Sequence, residues 1–374
     1  MNFTITMLKW FDSHGRDLPW RHTSDPYPIW LSEIILQQTR IEQGLPYWER
    51  FMQLWPRVED LAGASEDEVL RQWQGLGYYS RARNLHHAAR QIVSMGGFPQ
   101  TLEGIKSLKG VGDYTAAAIA SFAFRLPTAV VDGNVFRVLA RHFGISTPIN
   151  STEGKKEFAA LAQELLPHPT PAVPLQDGRN VYGDFNQAMM DFGATQCKPT
   201  NPACTTCPLQ DTCVAFREGR IDQLPAKLKT LRVKERRLTY IYIRYKGQTA
   251  LHRRPAGDIW QGLYEPLTVE GKLKTTDCRL QTTDHRPQTE DYRLRTTDHR
   301  LQATDYRPQT EDYCLLRSDV KHVLTHQIIW ADFYLWQPTE RPELPDGYFW
   351  IDETDIDNYG VPRLVEILLE NLPR

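Results

Sequence analysis

TLEGIKSLKGVGDYTAAAIASFAF, residues 101–124, is the stretch whose reading decides the fold. A helix starts near Thr101, the chain turns at Leu108-Lys-Gly-Val-Gly112, and a second helix runs from Asp113 to Phe124. Gly110 and Gly112 permit a tight turn and leave backbone N–H groups pointing outward beside a helix N-terminus, whose dipole favours anions. Such a turn seats a phosphate without reading a base, which suits it to a DNA backbone. The same residues suit an ordinary helix–helix turn with glycine caps equally well, and this segment alone does not separate the two.

On both sides of the hairpin the period stays helical. Apolar residues recur at helix spacing over 29–41, 66–74 and 82–94, with almost no strand-like alternation before residue 165. Pro167, Pro169, Pro171 and Pro174 then impose an irregular loop, since proline lacks the backbone donor a helix needs. A short helix over 182–192 leads into a cysteine-rich loop. Residues 226–237 form a basic linker, in which Lys227, Lys229, Arg232, Lys234, Arg236 and Arg237 oppose only Glu235. From Leu238 the period changes to two. Leu238-Thr-Tyr-Ile-Tyr-Ile-Arg-Tyr245 predicts a strand ending in a turn at Lys246-Gly247, another strand-like run covers 320–336, and 362–372 has amphipathic helical spacing. The chain reads as multidomain, an all-α region followed by a separate α+β region.

At 374 residues there is room for two or three domains. Hydrophobic residues make up 41%, aromatic residues 11% and charged residues 24%, a globular mixture. No apolar run approaches the roughly 18–20 residues of a membrane span, and the N-terminus lacks a signal-peptide pattern, which excludes a membrane partner from the expectation. The net charge of −2 advertises no polyanionic partner, so nucleic-acid affinity has to come from local patches. Four of the six cysteines cluster, as Cys197, Cys204, Cys207 and Cys213 at spacing C-x6-C-x2-C-x5-C. That clustering points to a metal site in a reducing compartment, not to an extracellular disulfide framework. Four thiolates on one loop close around an iron–sulfur cluster or a tetrahedral zinc ion, and counting sulfurs does not choose between them.

Residues 275–316 form six tandem heptads, beginning Thr-Thr-Asp-Cys-Arg-Leu-Gln. A coiled coil needs two apolar positions per heptad. Here one position alternates Leu with Pro and another varies among Cys, His and Tyr, so the expectation is a disordered or loosely ordered surface insertion.

Two carboxylates stand out. Asp132, in Val130-Val-Asp-Gly-Asn-Val-Phe-Arg-Val-Leu139, occupies the N-cap position of a helix, a role that fixes the direction of its side chain. Glu33 lies in Ile29-Trp-Leu-Ser-Glu-Ile-Ile-Leu36, a segment apolar almost all round and therefore buried. Burial favours the protonated acid near neutrality unless an arginine pairs with it. An acid kept protonated beside a carboxylate kept ionised is the pair that cleavage of a glycosidic bond requires.

Taken together these segments resemble the MutY-type adenine DNA glycosylases of the helix-hairpin-helix superfamily. The resemblance is carried by Leu18-Pro-Trp-Arg21, Trp30-Leu-Ser-Glu-Ile-Ile-Leu-Gln-Gln-Thr39, Gly75-Leu-Gly-Tyr-Tyr-Ser-Arg-Ala-Arg-Asn84, the hairpin, Val131-Asp-Gly-Asn134 and the cysteine loop, in family order over residues 15–215. It implies a helical catalytic region over 1–225, with the helix-hairpin-helix at 101–124 and a cluster loop at 197–213. The linker 226–237 and a Nudix-like lesion-recognition domain over 238–374 follow, the latter interrupted by the 275–316 heptads. Its substrate would be duplex DNA with adenine opposite 8-oxoguanine or guanine. No protein partner is evident, and the expected protein is a monomer, cytoplasmic and nucleoid-associated.

By position, the resemblance makes Glu33 the acid that protonates adenine and Asp132 the carboxylate that supports or traps the oxocarbenium ion. Tyr114 and Asn134 lie beside them. Arg21 and Gln38 would contact the flipped base and its surroundings, while Leu76 and Tyr78 would wedge into the stack, offsetting the few kcal/mol that extruding a base costs. Lys109, where the family usually has proline, joins Gly110 and Gly112 at the phosphate. Cys197, Cys204, Cys207 and Cys213 would hold a 4Fe-4S cluster. Tyr114 replaces the lysine of the endonuclease III branch, so no Schiff base forms and the enzyme is monofunctional.

In the C-terminal half, Leu251-His-Arg-Arg-Pro255 and Ile259-Trp-Gln-Gly-Leu-Tyr264 resemble the Nudix-like domain, without the Arg-Glu and Glu-Glu steps of the hydrolytic signature. Thr325 and His326 match two positions of the family's Phe-Ser-His lesion-reading motif, and Leu324 departs from its aromatic. The alternatives are an endonuclease III-like glycosylase-lyase, disfavoured by Tyr114 and Glu33, and a non-catalytic lesion-binding protein.

Overall fold

In a computed structural model of the chain, the residues described are 2–167, 179–228, 233–273 and 313–373. They divide into two compact units, residues 1–64 with 81–230, and residues 65–80 with 231–374. No helix among the described residues is long and apolar enough to cross a membrane. Of the proline-rich loop, residues 168–178 lie outside the described residues.

Helices α1 (Phe3–His14), α2 (Pro26–Ile35), α3 (Ile41–Leu54), α4 (Val58–Gly63), α5 (Glu66–Gln72), α6 (Ser80–Ser94), α7 (Leu102–Lys106), α8 (Asp113–Phe122), α9 (Gly133–Phe143), α10 (Thr152–Glu164), α11 (Val181–Asp191) and α12 (Val214–Arg217) account for the first half of the chain. Their starts carry side-chain caps: Asn2, Asp25, Thr101, Ser151 and Asn180 each accept a first-turn N–H. The helix expected over 29–41 is two helices. α2 stops at Ile35, and Gln38 takes a left-handed backbone with φ +56° before α3 begins.

The core of the first unit gathers Met7, Leu8 and Trp10 from α1, Val138 and Leu139 from α9, and Phe185 and Met189 from α11. Residues 115–121 of α8 are all buried, and its alanines let α2, α7 and α11 pack closely against it. Between α7 and α8, Gly110 sits at φ +78°, where a Cβ would come within 2.6 Å of the Asn84 Cβ. Only glycine serves there, on both counts.

In the second unit, β1 (Lys234–Ile243), β2 (Gln248–Arg253), β3 (Tyr264–Glu265), β4 (Leu267–Glu270), β5 (Tyr313–Val323), β6 (Gln327–Trp336) and β7 (Tyr348–Asp352) form two sheets, ordered β4-β1-β6-β5 and β3-β2-β7. β1 and β6 run parallel, from Lys234 opposite Gln327 to Ile243 opposite Trp336, and the other pairings are antiparallel. Both faces of β1 are covered. Leu238, Tyr240 and Tyr242 meet Leu364, Val365 and Leu368 of α13 (Arg363–Glu370), while Ile241 and Ile243 join a second cluster with Ala250 and Trp336.

Four expectations about organisation need correction. The linker's last residues, Lys234 to Arg237, are already strand β1. The run 320–336 is a hairpin, β5 and β6, with Thr325 and His326 exposed at its turn. The heptad tract lies outside the described residues up to 312, but Tyr313–Leu316 open β5, and Tyr313 is buried against Trp336. Residues 65–80 belong with the second unit, not with the helical region. Arg253 Nη2 donates to Glu66 Oε1 (3.0 Å) and Asp67 Oδ1 (2.9 Å), the Tyr264 hydroxyl donates to Asp67 Oδ2 (3.0 Å), and Gln74 Nε2 donates to Glu366 Oε1 (2.6 Å).

Candidate active site

The first unit holds an open cleft of about 1280 Å³, larger than the roughly 300–1,000 Å³ of ordinary small-molecule pockets. Arg21, Glu33, Gln38, Gly110, Gly112, Tyr114, Asp132 and Asn134, named from the sequence, all line it. Lys109 does not. It is exposed, and its N–H bonds Gln91 Oε1 at 2.8 Å.

Glu33 sits at the last full turn of α2, 8% exposed. Burial pushes its carboxyl up to about 7, against the pull of the Tyr114 hydrogen bond; Asp132 adds to the rise and Arg21 opposes it. Near neutrality a large share of this acid therefore keeps its proton. The same burial, with Glu33 and Asp132 nearby, holds the Tyr114 phenol well above its usual range, so it stays a neutral donor. Its hydroxyl also stands 3.5 Å from the Met190 sulfur.

Asp132 caps α9. Its Oδ1 accepts from Asn134 N (2.8 Å) and Val135 N (2.7 Å), and its Oδ2 from Asn134 Nδ2 (2.7 Å). Burial raises its pKa above the ordinary value, while those donors, the Arg137 charge and the helix N-terminus favour the carboxylate. Burial is the largest influence on both acids. Against it Asp132 has three N–H partners and the Arg137 charge, and Glu33 has the Tyr114 hydrogen bond and the Arg21 charge.

Asn134 is held in turn. Arg137 Nη2 donates to Asn134 Oδ1 (2.8 Å) and Gly193 O (2.6 Å), and Arg137 Nε donates to Cys197 O (2.8 Å). A Cβ on Gly193 would come within 2.6 Å of the Asn134 Cβ, so glycine lets this segment approach. Sequence reasoning missed Arg137, although an arginine one turn beyond Asn134, on the helix that Asp132 caps, was a usable signal. It also missed Arg16, Gln187 and Met190 in the cleft wall, and Asp191 behind it.

The four cysteines surround one small cavity of about 30 Å³. Arg141 Nη1 stands 3.5 Å from Cys197 Sγ as a donor, the Leu209 N–H faces Cys207, and the Ala215 and Phe216 N–H groups face Cys213. Burial and mutual repulsion push the Cys204, Cys207 and Cys213 thiols up, Cys207 to about 11, so thiolates gathered here need a positive centre among them. No three His, Cys, Asp or Glu side chains among the described residues are arranged to hold a single metal ion. Four sulfurs around one cavity, with N–H donors aimed at three of them, supply a donor set of the kind an iron–sulfur cluster takes.

The remaining candidates lie in the second unit. Tyr78 is 48% exposed with φ +49°, and its hydroxyl meets Thr325 Oγ1. Lys234 N donates to the His326 carbonyl at 3.0 Å. Leu76, expected as a wedge, is buried instead and its N–H bonds the Trp73 carbonyl, so here it is a core residue.

This arrangement defines a class, the helix-hairpin-helix base-excision proteins with an appended Nudix-like domain. Residues 31–168 match the HhH-GPD superfamily base excision DNA repair protein model, and residues 239–371 match the NUDIX domain model. An adenine DNA glycosylase of Buchnera aphidicola is 34% identical over 266 residues, covering 70% of this chain and 73% of that protein. The chain belongs to the adenine DNA glycosylase family. The mouse adenine DNA glycosylase is 44% identical over 239 residues, 60% of this chain, and the chain spans 44% of its length. A thermostable thymine-DNA glycosylase structure superposes with a TM-score of 0.51 at 32% identity, covering 58% of this chain and 95% of that one.

Proposed function

We propose that this protein hydrolyses the N-glycosidic bond of adenine opposite 8-oxoguanine or guanine in duplex DNA and leaves the backbone intact. The observation that carries the proposal is the convergence of Glu33, Tyr114 and Asp132 on one cleft, with both carboxyls buried and that of Asp132 held by three N–H donors. Glu33 gives its proton to a ring nitrogen of the extruded base, so the base leaves neutral with the electron pair of the broken bond. Asp132 faces the positive charge that develops at C1′, and its three N–H partners fix where that charge is met. Water then adds to C1′ and yields a proton to a carboxylate. Tyr114 has no amine for a Schiff base, and the described residues lining the cleft include no lysine. This disfavours the glycosylase-lyase alternative.

The hairpin glycines at the rim suit the phosphate backbone. Thr325 and His326, exposed at the β5–β6 turn, are proposed to read the base opposite adenine. Cys197, Cys204, Cys207 and Cys213 would hold a 4Fe-4S cluster, which supplies the positive centre that keeps four thiolates together and the loop folded. The test is a duplex carrying one adenine opposite 8-oxoguanine, followed by alkali cleavage and sizing of the strand. Strand cleavage only after alkali, abolished by Glu33→Gln with duplex binding retained, is the expected result. Binding by both proteins with base release by neither would mark a lesion-binding protein instead.

A further inference from the structure

Asp191, the last residue of α11, is 0% exposed, yet it takes part in no step described above. Its Oδ2 accepts from Arg16 N (2.9 Å) and Arg21 Nη1 (2.8 Å). Its Oδ1 accepts from Arg21 Nη2 (2.9 Å), Arg16 Nε (2.9 Å) and Arg16 Nη2. Arg21 Nη1 also donates to the Arg16 carbonyl at 2.8 Å. One buried carboxylate thus receives two guanidinium forks, and both arginines line the cleft.

A carboxylate with no access to water is costly to bury, and pairing it this fully makes it worth keeping only with both partners in place. The arrangement has an electrostatic consequence at the reacting acid. Arg21 lies close enough to Glu33 to favour its ionised form. Two unbalanced arginines would strengthen that field, whereas Asp191 reduces the group of three to a single net positive charge.

We propose that Asp191 is a positioning residue for the cleft: it fixes Arg16 and Arg21 in the wall and offsets their charge beside Glu33. This rests on Glu33 acting as the acid. The other charged or titratable groups of the cleft wall and toward α2 are Tyr114 and Asp113 of α8, Asp132 at the N-cap of α9, Arg40 and Glu42 at the start of α3, His22, Arg125 and Asp184, and Arg81 of α6, whose Nη1 meets the carbonyls of Ile34 and Ile35. None of these is bonded to Arg21 in the way Asp191 is. The guanidinium therefore depends on Asp191 for both its direction and its balance. Arg21 uses three of its five N–H groups on Asp191 and the Arg16 carbonyl, and its guanidinium carbon lies 5.5 Å from the Phe11 ring centre, so the side chain has little freedom to find another partner.

The test compares Asp191→Asn, Arg16→Gln and the wild type. The first readout is the infrared band of the protonated Glu33 carboxyl, assigned by its loss in Glu33→Gln, followed against pH. The second is single-turnover base release over the same pH range. Removing the anion should move the Glu33 midpoint, and the alkaline fall of the rate with it, down by on the order of one pH unit. Removing the cation at Arg16, the more exposed partner, should move both up. Asp191→Glu should return the midpoint toward the wild-type position. If Asp191→Asn does not fold, Arg16→Gln decides by the sign of its shift. Midpoints unchanged in every folded variant would overturn the proposal and leave Asp191 a purely structural ion-pair residue. A wild type that shows the infrared shifts but releases no base would overturn the functional reading and keep the electrostatic one.

Discussion

Replacing Glu33 by glutamine should have two effects of opposite sign. Base release should stop, because the amide has no proton to give. Stability should rise, by an amount that grows with pH. The carboxyl titrates near 7 in the folded chain against an ordinary 4.5. Below about pH 4.5 it is protonated folded or unfolded, and its burial costs nothing extra. As the pH rises toward 7 the unfolded chain loses the proton freely while the folded chain resists, so the wild type is progressively destabilised. Two and a half pKa units correspond to about 3 kcal/mol. Glutamine has no such dependence, and its carbonyl still accepts from Tyr114. The variant should therefore gain about 1 kcal/mol at pH 5 and about 3 kcal/mol at pH 8. Urea unfolding of both proteins at the two pH values measures this directly. An equal difference at pH 5 and pH 8, or a variant less stable at pH 8, would refute the account of Glu33 as a desolvated acid held for function at the expense of stability.

Tyr114→Lys should place an amine beside Asp132 and allow borohydride to trap a covalent complex with substrate DNA; wild type under the same conditions should leave none. Cys207→Ser should lower the iron content and visible absorption of the purified protein and reduce its melting temperature, and unchanged iron would contradict the cluster assignment. Asp332, 0% exposed, accepts from Arg237 Nη1 and Asp319 N, both at 2.8 Å. Asp332→Ala should cost the second unit about 1–2 kcal/mol, read by thermal unfolding, since it leaves the Asp319 N–H without its acceptor and Arg237 with Asp319 alone.

The helical half was legible because its signals are local. The apolar run around Glu33 foretold its burial, and Asp132 before Gly133 foretold a cap, since both depend on residues within a turn or two. The turn at Gln38 was not legible, because the apolar spacing runs through it while the backbone reverses. The Asp191–Arg16 pair was invisible for a different reason. It joins positions 175 residues apart, and neither residue type nor spacing marks it. In the second unit the strand at Leu238 was read from its period, which by itself does not tell how many of its faces are covered. Both faces of β1 are covered, so its tyrosines and isoleucines are equally buried. The repeat near residue 313 hid the start of β5, because a tract judged by its period looks uniform even where its last residues enter a core.

The placement of residues 65–80 has a bearing on how such a protein can be divided or recombined. The polypeptide leaves the helical unit after Ala64, contributes α5 to the other unit, and returns at Arg81 before crossing again near residue 230. A truncation near residue 230 would retain α5 but remove Arg253 and Tyr264, stranding Glu66 and Asp67 without their partners and uncovering Leu70, whose Cδ1 would lie 3.2 Å from a Cβ at Gly262. The two units are interleaved in sequence, so parting them would need three coordinated cuts, and a single breakpoint would yield a fragment prone to misfold.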